Sequence, residues 1–173
     1  MDPHISAHRI ADRVERIQEE WRRARPDLDP SPQGVFGRLA RLTDAIDQEL
    51  DRVFRAYGLT AGEFDVLATL RRAGGACERS PSELAASTMV TAGALTKRVD
   101  RLERSGLVRR RRVSSDGRAR VVGLTAEGRT LIDAAIEAHL ANERTLLEAV
   151  PEPDRAELER IMRAWLATLS DEL

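Results

Sequence analysis

The sequence predicts a mainly helical fold carrying one two-stranded hairpin. Apolar residues recur at helical spacing through most of the 173 residues. That period breaks between Gly106 and Thr125, where four consecutive arginines stand between short apolar runs. Composition agrees: 42% hydrophobic and 33% charged residues with only 3% aromatics place the chain among soluble, helix-leaning proteins and far from disordered ones.

Each element follows in order. Ile10, Val14, Ile17 and Trp21 form the stripe of an amphipathic helix over residues 5–24. Pro26, Pro30 and Pro32, with Asp27 and Asp29 between them, make residues 26–33 a linker. Val35, Leu39, Leu42, Ile46, Leu50 and Val53 repeat the stripe and predict a longer helix ending near Tyr57-Gly58. Thr60-Ala61-Gly62-Glu63 is a capping box; its helix turns Phe64, Leu67 and Leu70 inward and stops at Gly74-Gly75. Ser80-Pro81-Ser82-Glu83 is a second box, with proline at the first helical position, opening a short helix over 81–87. Thr91 is placed to cap the next helix, which buries Leu95, Val99 and Leu102 and ends before Gly106. Leu107, Val108 and Val113 then bound the arginines, Ser114-Ser115-Asp116-Gly117 supplies a turn, and Val121, Val122 and Leu124 read as a returning strand. Two helices close the chain, one over 126–149 and one over 152–169, the second striped by Leu158, Ile161, Met162, Trp165 and Leu169.

The net charge of −1 hides an asymmetry. Residues 96–120 hold ten basic residues and three acids, whereas residues 126–173 hold eleven acids and five arginines. A local basic face is what a phosphate backbone meets. One cysteine, Cys77, excludes an intramolecular disulfide and a cysteine zinc site. The absence of long apolar runs and of a leader after Met1-Asp2-Pro3-His4 sets the expectation of a cytoplasmic protein without a membrane partner. No Gly-rich phosphate loop, nucleophile elbow or metalloprotease motif occurs, so neither an enzyme nor a cofactor or metal is expected.

The two capped helices joined by Thr88-Met89-Val90 have the layout of a helix-turn-helix, whose second helix lies in the major groove. Thr91, Gly93, Ala94, Thr96, Lys97, Arg98 and Arg101 are its candidate DNA-facing positions. Small residues admit the backbone to the base edges, while Thr96 and Lys97 supply donors. An ordinary capped helix pair with a solvated face would read the same way. The hairpin decides, because successive arginines on a short strand repel one another unless they stand beside phosphates. Arg111, Arg112, Arg118 and Arg120 are its candidate contacts, with Arg118 at the tip just past Asp116-Gly117. A helix-turn-helix followed by a basic hairpin is a winged helix, and its expected partner is double-stranded DNA.

Leu102-Glu103-Arg104-Ser105-Gly106-Leu107-Val108, Ser115-Asp116-Gly117-Arg118 and Leu124-Thr125 together resemble the signature of the MarR family. The resemblance implies a single domain over 1–173: a winged helix-turn-helix lobe at 59–125 and a helical dimerisation region at 5–56 and 126–170. It implies a homodimeric repressor on a near-palindromic operator, with Asp116 bracing Arg118, released from DNA by a small organic anion.

The helix over 5–24 resembles that of urate-responsive members. Trp21, Asp65, Arg98 and Arg110 match the ligand residues of that subgroup, and a planar anion wants guanidinium partners and an indole donor. The same residues also read blandly: Trp21 as core, Asp65 as a surface acid, the arginines as part of a basic region. The linker Arg25-Pro26-Asp27-Leu28-Asp29-Pro30 is similar to that of regulators responsive to trans-aconitate and citrate. The expected effector is therefore urate or another purine, citrate or trans-aconitate, or another aromatic acid. Alternatives are a redox sensor built on Cys77, a metal sensor built on His4 and His8, and an architectural or protein-interaction dimer without a ligand.

Overall fold

A computed structural model describes residues 12–88, 92–112 and 120–170. The chain divides into two compact units, Met1–Gln48 and Glu49–Leu173.

The first unit is a helical hairpin. Helix α1 (Arg13–Ala24) begins at Asp12, whose carboxylate accepts the Glu15 N–H. Helix α2 (Ser31–Ala56) starts inside the segment expected to be a linker. Asp29 accepts both the Ser31 N–H at 2.9 Å and its hydroxyl, and Pro32 lies in the first turn, where a missing N–H leaves no bond unmade. Buried Gln18 donates to the carbonyls of Pro30 and Ser31, and Arg38 reaches back to Asp12 at 2.7 Å. Val14 fills the space above Gly37. The apolar stripes are mostly open in the unit: Trp21, Val35, Leu39 and Leu42 are all more than 40% exposed, and so is Phe36 beside them.

The second unit contains the end of α2, α3 (Ala61–Arg72), β1 (Glu78–Arg79), α4 (Pro81–Ser87), α5 (Ala92–Arg104), β2 (Val108–Arg112), β3 (Arg120–Leu124), α6 (Ala126–Leu147) and α7 (Glu152–Ser170). Both predicted capping boxes are closed, at Thr60/Glu63 and Ser80/Glu83. Val66, Leu67 and Leu70 of α3 form the centre of the core with Leu84, Leu102, Val108, Val122, Ile132 and Ala135. Phe54 and Phe64 pack with ring centroids 4.4 Å apart, and His139 of α6 lies against both.

The sheet is antiparallel in the order β1-β3-β2. Strand β1 was not anticipated, since two polar residues carry no alternation to read. Thr125 ties the returning strand to its surroundings: its hydroxyl donates to the Gly106 carbonyl at 2.7 Å and accepts the Gly128 N–H that opens α6. Among the described residues, no helix is long and apolar enough to cross a membrane.

Candidate nucleic-acid interface

Helix α5 is held to the lobe by Leu95, Val99 and Leu102, all buried, which leaves Gly93, Thr96, Lys97 and Arg101 exposed. Ala94 and Arg98 were expected on that open face but are half-buried. For Arg98 the cause is the start of α3. The Arg98 guanidinium lies over Gly62, where an added Cβ would stand 2.2 Å from its Cζ, so a larger residue there would displace it. One turn on, Arg101 Nε meets the Glu63 carboxylate at 2.9 Å, and that carboxylate is itself buried by the capping box. Two arginines of α5 thus anchor it to the first turn of α3.

This contact leaves an imbalance. Arg98 Nη1 is buried with no hydrogen-bond partner, a costly state for a charged donor. Burial pushes the Asp65 carboxyl above the ordinary carboxylate range, against the opposing pull of Arg72 and Arg98. No salt bridge joins Asp65 to either arginine. The half-buried acid and the unsatisfied cation are neighbours electrostatically and remain unpaired.

Along β2 the arginines alternate between the two faces of the sheet. On the core side, Arg110 is clamped by α5: Asp100 accepts from Nη2 at 2.6 Å, and Glu103 accepts from both the side chain and the backbone N–H. On the outer side, Arg111 makes two parallel bonds to Glu78 of β1, at 2.8 and 2.6 Å. Its guanidinium holds the Glu78 carboxyl below the usual range. Arg112 stands directly opposite Arg120 in the strand register. Like charges opposed across a ladder destabilise it unless an anion lies between them. Arg110, Arg111, Arg112 and Arg120 line one open cleft.

The sequence of this site is that of a known family. The MarR family model matches residues 57–119, from the end of α2 to the hairpin. The regulator PecS of Dickeya dadantii is 42% identical over 86% of this chain and 90% of its own length. The chain belongs to the MarR family. A mutant of Escherichia coli MarR complexed with operator DNA is similar in structure, with a TM-score of 0.66 and 26% identity, covering 84% of this chain and 97% of that one. AbsC of Streptomyces coelicolor shares the fold, with a TM-score of 0.72 at 23% identity over 83% of this chain and 97% of its own. This MarR-family protein is therefore a DNA-binding transcriptional regulator with a winged helix-turn-helix.

Within this regulator, the sequence-predicted residues meet different circumstances. Gly93, Thr96 and Lys97 lie open on α5, as do Arg112 and Arg120 on the hairpin. Arg101 and Arg111 carry ion pairs within the chain. Thr91, Asp116 and Arg118 lie outside the described residues, as do His4 and His8. Of the four candidate ligand residues, Asp65 and Arg98 come together, while Arg110 faces Asp100 and Glu103. Trp21 is 44% exposed on α1, in the other compact unit. Cys77 is buried. Sequence reasoning missed Gly62, Glu63, Glu78, Asp100 and Glu103. Glu63 was legible as a capping residue, but nothing local reveals that its carboxylate also receives an arginine 38 positions later.

Proposed function

We propose that this MarR-family regulator is a homodimeric, cytoplasmic repressor that binds a near-palindromic operator and is released by a small organic anion. The observation that carries the ligand reading is the buried, unpartnered Arg98 Nη1 beside half-buried Asp65. An anion there would satisfy the guanidinium and repel the Asp65 carboxylate. Because Arg98 belongs to α5, whatever occupies that position acts directly on the helix expected to read the major groove. Trp21 enters this reading through the resemblance alone, and so does the near-palindromic operator. Arg110, already held by two acids, would join only by leaving one of them.

The DNA side rests on Arg112 and Arg120, which oppose each other with no partner carboxylate among the described residues and would fit a phosphate between them. The dimer rests on apolar faces left open on α2 and on α7, where Leu158, Ile161, Met162, Leu166 and Leu169 are all at least 36% exposed.

The test is a titration of the protein's complex with its own upstream region, using urate, xanthine, citrate and trans-aconitate. At least one anion should lower operator affinity, and a tenfold loss needs ~1.4 kcal/mol of coupling between the sites. Trp21→Ala should leave operator affinity nearly intact and raise the concentration needed for release. If no anion shifts the complex, the anion reading of Arg98 and Asp65 is wrong; if Trp21→Ala responds like the parent, Trp21 has no part in it.

A further inference from the structure

Glu78 is an acid in the basic half of the lobe, and its placement is unusual. It belongs to β1, at one edge of the sheet, whereas its partner Arg111 belongs to β2, at the other edge. To reach it, the Glu78 side chain crosses the central strand β3. The crossing point is Gly123, which pairs with Glu78 in the register; a Cβ built there would come within 2.7 Å of Glu78 Cγ. A larger residue would force the Glu78 side chain out of this path. The glutamate side chain is only 12% exposed although it lies on the outer face, because the arginine covers it.

Strand β2 is therefore pinned from both faces at adjacent residues. Arg110 binds it to α5 on the core side, and Arg111 binds it to β1 on the outer side. The next residue outward is Arg112, opposite Arg120. A two-stranded ribbon that carries opposed cations splays or twists at little energetic cost unless its base is fixed.

We propose that Glu78 is a positioning residue for DNA binding: passing through the side-chain-free gap at Gly123, it clamps Arg111 so that Arg112 and Arg120 project from a fixed base. Its carboxylate occupies the Nε–Nη2 edge of Arg111, which is the edge a phosphate would otherwise take. Arg111 thus acts on DNA through the geometry of the hairpin, while the two residues beyond it meet the phosphates. Arg109, the other outer-face arginine of β2, adds only its field at the Glu78 carboxylate.

Plain Coulomb attraction predicts the opposite role for Glu78. Removing a negative charge from a DNA-binding face should tighten binding if charge alone matters. Operator affinity of the full chain is to be measured across a salt series for Glu78→Gln, Gly123→Ala, Arg111→Ala and the double variant Glu78→Gln/Arg111→Ala, with thermal unfolding recorded alongside. Glu78→Gln is expected to weaken binding about fivefold and to flatten the plot of log affinity against log salt by about one to two ions, as Arg112 and Arg120 lose their alignment. Gly123→Ala, which leaves every charge in place, should produce the same two changes. The double variant should bind no more weakly than Arg111→Ala, because the two residues act as one unit. Tighter binding by Glu78→Gln with a steeper salt dependence would overturn the proposal, since Glu78 would then only neutralise a phosphate contact. Weaker binding with an unchanged slope would overturn it equally, because that is the mark of less folded protein. So would additive losses in the double variant.

Discussion

The interior of the lobe and the outer faces of α2 and α7 are built from the same residue types but end in opposite states. In the lobe, Val66, Leu67, Leu70 and Leu84 have no exposed surface, and neither has Ile132 of α6, which packs into the same core. On α2, Val35, Phe36 and Leu42 are more than half exposed, and on α7 so are Leu166 and Leu169. One chain closes the first core by itself and leaves the second set of apolar faces open. The contrast separates the part of the protein whose fold is complete within the chain from the part that, in the proposed dimer, awaits a second copy. The wing repeats the lesson with charges: Arg110 and Arg111 are paired within the chain, whereas Arg112 and Arg120 oppose each other and, in the proposed complex, take a DNA phosphate.

The largest effect is expected on the open apolar faces. Leu42→Asp combined with Leu166→Asp should yield a monomer in sedimentation at micromolar concentration, with the lobe still folded. Loss of the second half-site should then weaken operator binding by about a hundredfold or more. A variant that remains dimeric would show that these faces are not the interface. At the closed side, Leu102→Ala empties a fully buried position of α5 and is expected to lower unfolding free energy by ~2–5 kcal/mol in chemical denaturation. A loss below that range would mean that α5 is held mainly by Arg98 and Arg101 rather than by its apolar face.

Smaller effects sharpen the division among the arginines. Arg112→Ala and Arg120→Ala should each reduce the salt slope of DNA binding by about one ion, the signature of a phosphate contact. Arg98→Lys should weaken release by anions, because an ammonium cannot offer the planar pair of donors. The smallest effect concerns Asp65. Burial raises its pKa, so between the ordinary carboxylate value and the raised one the folded chain binds more protons than the unfolded chain. Stability therefore falls as pH rises through that window, and above it the charged acid is a burden on the fold. Asp65→Asn is expected to flatten that dependence and to unfold at the higher temperature near neutral pH. An unchanged midpoint from acid to neutral pH would remove the argument that Asp65 is held in an uncomfortable charge state.

What the sequence determined by itself was local. Helical spacing, two capping boxes and proline in a first turn each act over a few residues, and the seven helices and the strands β2 and β3 found among the described residues follow from such local signals. The family motif extended that reading to a DNA-binding regulator. Tertiary structure decided the partners. Arg98 and Lys97 are adjacent basic residues on one helix, and no sequence rule tells which lies over Gly62 and which faces solvent. The same holds for Glu78, which is 33 residues from Arg111 and separated from it in the sheet by a strand. Two-residue β1 has no period of its own and exists because β3 offers it an edge. Short-range hydrogen-bond and packing preferences are written in the spacing of neighbours. Charge pairing depends on where distant segments meet, and that is fixed only when the core brings them together.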